Sequence, residues 1–142
     1  MVSKQAIVFA DGGSRGNPGP SGAGALVKDE SENGVTVASV YEFLGTTTNN
    51  VAEYTGLIMG LRQALELGYT QVEARMDSEL VVKQIKGQYR VKNEKLKPLC
   101  LEAKMLAQKF ERFSIVHIRR EHNKEADRLA NQAMDTAGSA KI

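Results

Sequence analysis

The stretch Ile7-Val8-Phe9-Ala10-Asp11-Gly12-Gly13-Ser14-Arg15-Gly16-Asn17-Pro18-Gly19-Pro20 constrains the fold of this chain more than any other. Its apolar run is long enough for a strand and too short for a helix, and the glycines and prolines that follow suit no regular element. Apolar residues at successive positions predict a strand covered on both faces, in the middle of a sheet. The carboxylate of Asp11 then emerges at the rim where that strand ends.

A chain of 142 residues, 42% hydrophobic and 25% charged, suffices for one domain with a real core, so residues 1–142 are expected to form a single unit. The formal net charge is only +2, so a nucleic-acid partner has to be argued from where charge lies. A lone cysteine, Cys100, excludes an internal disulfide framework, suits a reducing compartment, and is expected to pack among Leu99, Leu101 and Leu106. Ala6 to Ala10 is too short for a secretory signal, and no run approaches membrane length. A soluble, cytoplasmic, monomeric protein with no membrane contact and no obligate protein partner is the expectation.

Gly22 to Lys28 reads as a second strand, Asp29 to Gly34 as a polar turn, and Val35 to Leu44 as a third strand, an antiparallel meander with the first. Asn50 is expected to cap a helix that ends at Gly68, with Glu53 completing a capping box. Small residues at Gly56, Gly60 and Ala64 would seat that helix close to the sheet. Val72 to Met76 alternates as a strand that ends at Asp77, Ser78 to Gln84 continues as a helix, and another helix follows from about Leu96 to Phe110. Ile115 to Ile118 is a fifth strand, and Asn123 caps a last helix before a flexible tail at 136–142. The predicted architecture is α/β: a five-stranded mixed sheet, three strands antiparallel and two parallel, with helices on both faces.

Each of four acids has a plain structural reading when taken alone. Asp11 could close an Asx turn, Glu53 a capping box and Asp77 an N-cap, while Asp127 could complement a helix dipole. Their placement argues for more. Asp11 and Asp77 sit at strand carboxyl ends, Glu53 and Asp127 at helix amino ends, and in an open α/β sheet these share one rim. Four converging carboxylates repel one another unless they bind cations, and an all-oxygen set selects Mg²⁺ or Mn²⁺. A pair of such ions supports in-line attack of water on a phosphodiester.

These residues carry a family resemblance. Asp11-Gly12-Gly13-Ser14 through Asn17-Pro18-Gly19-Pro20, Thr48-Asn49-Asn50-Val51-Ala52-Glu53, Asp77-Ser78-Glu79 and His122-Asn123-Lys124-Glu125-Ala126-Asp127-Arg128-Leu129-Ala130 together resemble a type 1 ribonuclease H. The resemblance implies the ribonuclease H-like fold, with Asp11, Glu53, Asp77 and Asp127 as ligands to two Mg²⁺ or Mn²⁺ ions. It implies endonucleolytic cleavage of the RNA strand of an RNA–DNA hybrid, leaving 5′-phosphate and 3′-hydroxyl ends. Asn17, Asn49 and Asn50 match positions that touch the hybrid in the minor groove and Thr48 one near backbone phosphate; Gly12, Gly13 and Ser14 lie along the same substrate path. Turn formation and capping is the alternative for the asparagines.

The chain departs from the family pattern in places. His122, a candidate for proton movement, stands only five residues before Asp127 in a short loop, and an exposed polar side chain is the alternative. His117, on its strand, is read as structural. Arg119 and Arg120 are candidates for the scissile phosphate or a solvated pair. Glu79 cannot contact phosphate as a neutral amide would. No basic, tryptophan-bearing insertion and no separate hybrid-binding domain is evident, although residues 83–112 hold nine Lys or Arg against three Glu. That excess suggests a phosphate-facing side, while the lack of a hybrid-binding domain leads to an expectation of weak, salt-sensitive, poorly processive binding. The other readings are a non-catalytic nucleic-acid-binding module on the same fold, or a related nuclease acting on duplex RNA or DNA.

Overall fold

Unbroken apolar character from Ile7 to Ala10 does place the first strand centrally. In a computed structural model, which describes residues 4–32 and 34–141, β1 (Gln5–Ser14) lies between antiparallel β2 (Gly19–Asp29) and parallel β4 (Gln71–Met76). Between β2 and β4 the chain forms β3 (Val35–Thr47) and helix α1 (Asn49–Glu66). Helices α2 (Glu79–Ile85) and α3 (Lys97–Ala107) then lead to β5 (Arg112–His117), α4 (Lys124–Thr136) and β6 (Ala140–Lys141). The sheet order is β5-β4-β1-β2-β3-β6.

The sheet therefore has six strands where the sequence predicts five. The sixth comes from the expected tail: Ala140 and Lys141 pair antiparallel with Tyr41 and Val40. Two residues are too few to show any periodicity. Asn33, in the predicted polar turn, and Ile142, in the tail, lie outside the described residues.

Strand alternation divides the core. Ala25 and Val27 point into the larger cluster beneath α1, α2 and α3, whereas Leu26 between them points the other way and packs with Ala126 and Leu129 of α4. Tyr54 of α1 donates its hydroxyl to Gln84 Oε1 of α2 at 2.6 Å, so these two buried polar groups satisfy each other. Cys100 is buried in the larger cluster. No helix among the described residues is long and apolar enough to cross a membrane.

Helix α1 starts earlier than predicted. Thr48, not Asn50, is its N-cap, and Thr48 Oγ1 accepts from the Val51 amide at 3.3 Å. Both residues are good caps in isolation; the helix begins where β3 ends, at Thr47. Glu53 consequently falls in the second turn and has no capping duty. α3 is shorter than predicted at both ends, with Pro98 in its first turn, where a missing amide costs nothing.

Candidate active site

β1 and β4 part company at the pair Phe9–Arg75, and β1 runs on against β2 alone as far as Ser14. Asp11 thus reaches the rim because β4 turns away beside it, not because β1 ends, which corrects the strand-end reading. β4 stops at Met76 and delivers Asp77 to the same opening, a strand divergence of the kind that hosts ligands in α/β sheets.

Backbone proximity brings in the two helices. A Cβ added at Gly56 would overlap the carbonyl oxygen of Asp11, and one at Gly12 the backbone of Ala52, so α1 lies directly on β1 and carries Glu53 to Asp11. Gly12 therefore serves helix packing, whatever else it touches. On the other face, a Cβ at Gly24, the register partner of Asp11, would lie 2.6 Å from Leu129 Cβ, so α4 sits equally close and brings Asp127 from its first turn. All four acids line one cleft of about 570 Å³, together with Ser14, Arg15, Asn49, Asn50, Glu79 and Arg120.

The electrostatics of this cleft are unrelieved. Burial pushes Asp11, 7% exposed, up to about 8, reinforced by the charge of Asp77 and by Asp127 within hydrogen-bonding reach, with the Gly12 amide opposing. Burial likewise raises Glu53 to about 7, with the Ser78 hydroxyl opposing and Asp77 adding to the rise. Among the described residues none of the four forms an ion pair. Nor do any three His, Cys, Asp or Glu side chains already stand in an arrangement that holds an ion. The four acids ring one cleft, with Asp11 and Asp127 within hydrogen-bonding reach of each other. Their all-carboxylate chemistry fits a hard divalent cation, which would relieve this repulsion.

One residue of this site reads in the sequence as no more than a cap. Asn123, 2% exposed, precedes α4 but makes no side-chain cap bond. Its Nδ2 instead donates to the carbonyl of Ala10 at 2.9 Å and to Asp77 Oδ1 at 3.0 Å. Both partners are acceptors, so the amide orientation is fixed. Asn123 Oδ1 is left as a buried acceptor with no partner, at a cost of about 1–3 kcal/mol. Its position four residues before Asp127 was the available signal.

The remaining candidates divide. Asn49 accepts at Oδ1 from the Ser14 amide (2.7 Å), and Asn17 accepts at Oδ1 from the Asn49 amide (3.1 Å). With the carbonyl ends so committed, the amide nitrogens of both are the ends left to donate outward. Gly13 and Ser14 lie on the cleft wall, and Ser14 also ties its hydroxyl to Thr47 O at 3.0 Å. Arg120 lines the cleft; Arg119 does not, standing 3.8 Å from Glu121. His122 faces a separate depression with Phe9, Arg75 and Ile118. The cause is local: Arg120–His122 is a 3-10 turn, in which successive side chains point about 120° apart, so Arg120 and His122 cannot share a direction. Glu79 is held by Lys83 at 2.8 Å. None of the basic residues between 83 and 112 lines this cleft.

A family model described as reverse transcriptase-like matches residues 9–133. The chain is 46% identical over 134 residues to the bifunctional protein Rv2228c of Mycobacterium tuberculosis, covering 94% of this chain and 36% of that protein. It is 40% identical over 129 residues to ribonuclease HI of Halobacterium salinarum, covering 91% of this chain and 64% of that protein. It thus spans about a third of the first relative and less than two thirds of the second. Among solved structures, the N-terminal RNase H domain of Rv2228c superposes with a TM-score of 0.91 at 47% identity, covering 95% of this chain and 96% of that one. LC11-RNase H1 in complex with an RNA/DNA hybrid gives 0.86 at 42% identity, covering 93% and 98%.

Proposed function

The chain belongs to the type 1 ribonuclease H family, and from that premise we propose that it hydrolyses the RNA strand of RNA–DNA hybrids, leaving 5′-phosphate and 3′-hydroxyl ends. The observation that carries the reading is the ring of Asp11, Glu53, Asp77 and Asp127 around one cleft, none of them in an ion pair among the described residues. These four would hold a pair of Mg²⁺ or Mn²⁺ ions, which supply activation of water and stabilisation of the leaving oxygen.

The protein's own groups account for recognition. The outward amide nitrogens of Asn17 and Asn49 donate to base edges and 2′-hydroxyls with little regard to sequence, and the 2′-hydroxyl distinguishes the RNA strand. Arg120 donates to the phosphate beside the cleft. Thr48 and Ser14 fix the start of α1, where Asn49 stands. Support for hybrid as the substrate also comes from LC11-RNase H1, a relative solved with one bound.

The test is cleavage of end-labelled hybrid, duplex RNA and duplex DNA, each with Mg²⁺, with Mn²⁺ and with chelator, beside Asp77→Asn. Hybrid should be cut best, only with metal, and Asp77→Asn should abolish cutting while its circular dichroism stays native. Metal-independent cutting, or equal cutting of duplex DNA, would refute the assignment.

A further inference from the structure

Asn123 occupies a singular place in the site. Its Nδ2 bonds the Ala10 carbonyl, next to Asp11, and the carboxylate of Asp77; its own backbone carbonyl accepts the Asp127 amide at 3.1 Å. One residue thereby bonds to β1 beside the first acid, to the third acid itself, and to the helix turn that carries the fourth. The Ala10 carbonyl is also the one that β4 leaves behind, since the β1–β4 register ends at Phe9. An apolar residue could fill the same volume without leaving Oδ1 stranded, so packing alone does not account for an amide here.

Resting on the ribonuclease reading above, we infer that Asn123 is a positioning residue for metal binding: it holds Asp77 by Oδ1 in the cleft and locks β1, β4 and α4 in the register that lets their acids share ions. It touches neither substrate nor metal. Outer partners that orient a metal-binding carboxylate typically change metal affinity or activity about 10–100-fold when removed.

The experiment measures Mn²⁺ binding by isothermal titration calorimetry without nucleic acid, on wild type, Asn123→Ala and Asn123→Ser, below the melting temperature of each. The serine variant keeps a good cap residue but is too short to reach Asp77. Both variants should bind Mn²⁺ at least ~10-fold more weakly. In cleavage assays they should need correspondingly more Mn²⁺ for half-maximal rate, with KM for hybrid within about twofold of wild type at saturating metal. Wild-type Mn²⁺ affinity in either folded variant, whatever its melting temperature, overturns the inference. So does failure of both to fold, which would assign Asn123 to the scaffold. Wild-type protein that binds Mn²⁺ but cuts no hybrid would instead refute the ribonuclease reading and leave the binding comparison standing.

Discussion

Replacing Asp11 by asparagine should make the metal-free protein more stable at neutral pH and inactive. The folded-state value of about 8 stands far above the unfolded carboxyl's 3.8. Well below the unfolded value of 3.8 the group is protonated in both states and contributes nothing. As pH rises from there, the unfolded chain releases the proton while the folded chain keeps it, so stability falls with pH until about 8. At ~1.4 kcal/mol per pH unit, the roughly three units up to pH 7 set an upper bound on the order of 4 kcal/mol. Asp77, Asp127 and Glu53 share the same field, so a gain of about 2–4 kcal/mol for Asp11→Asn is expected. Glu53, raised from 4.5 to about 7, adds a loss of the same sign over its own window. Urea unfolding of wild type and Asp11→Asn in chelator, from pH 4 to pH 8, measures the difference. The gain should shrink towards zero at pH 4, and saturating Mn²⁺ should offset it by stabilising only the wild type. A gain that is the same at pH 4 and pH 7, or no gain at pH 7, would refute the picture of buried, mutually repelling acids.

Gly56→Ala should lower stability by about 1–3 kcal/mol in urea unfolding, despite alanine's better helix propensity, because the new Cβ meets the Asp11 carbonyl. The displaced α1 carries Glu53, so the cleavage rate should drop on the order of 100-fold; a wild-type rate would show that α1 need not sit so close. Arg120→Ala should cut kcat about 10–100-fold, the value of a charge-assisted bond, while Arg119→Ala and His122→Ala stay within about twofold. Equal effects from all three would mean that the turn as a whole moves onto the substrate.

What the sequence reveals about this site depends on whether the determinant is local. Asp77 is legible because an alternating strand and a helix meet at it, and Asp11 because an apolar run breaks there into glycines. The meander, the crossovers and the small-residue groove at Gly56 and Gly60 follow from patterns of four to eight residues. The divergence of β4 from β1, which opens the cleft beside Asp11, is a property of two strands whose paired residues lie 66 positions apart, and it leaves no trace in either. Thr48 and Asn50 are equally good caps until the end of β3 fixes the start of α1. Asn123 reads as a cap because its partners, Ala10 and Asp77, are 113 and 46 residues away. His122 and Arg120 look interchangeable in sequence, and only the 3-10 turn separates them.

The pattern of ion pairing across the molecule bears on where its missing charge must come from. Glu66, Glu73, Glu79, Glu94, Glu102, Glu121, Glu125 and Asp135 each have a lysine or arginine partner. The four cleft acids have none among the described residues, although the chain holds 19 Lys and Arg against 17 Asp and Glu and two arginines line the cleft itself. Arg15 is held by Asp135 at 2.6 Å and Asn131 at 3.3 Å rather than by any of the four acids it borders. A shortage of cations therefore does not explain the unpaired acids. Surface pairs add little stability, so losing one elsewhere would matter little, whereas an arginine swung into the cleft would neutralise it and block it. The arrangement keeps Asp11 and Glu53, the two acids that burial penalises, open with Asp77 and Asp127 to a cation from solution, at the rim where α1 and α4 both approach β1.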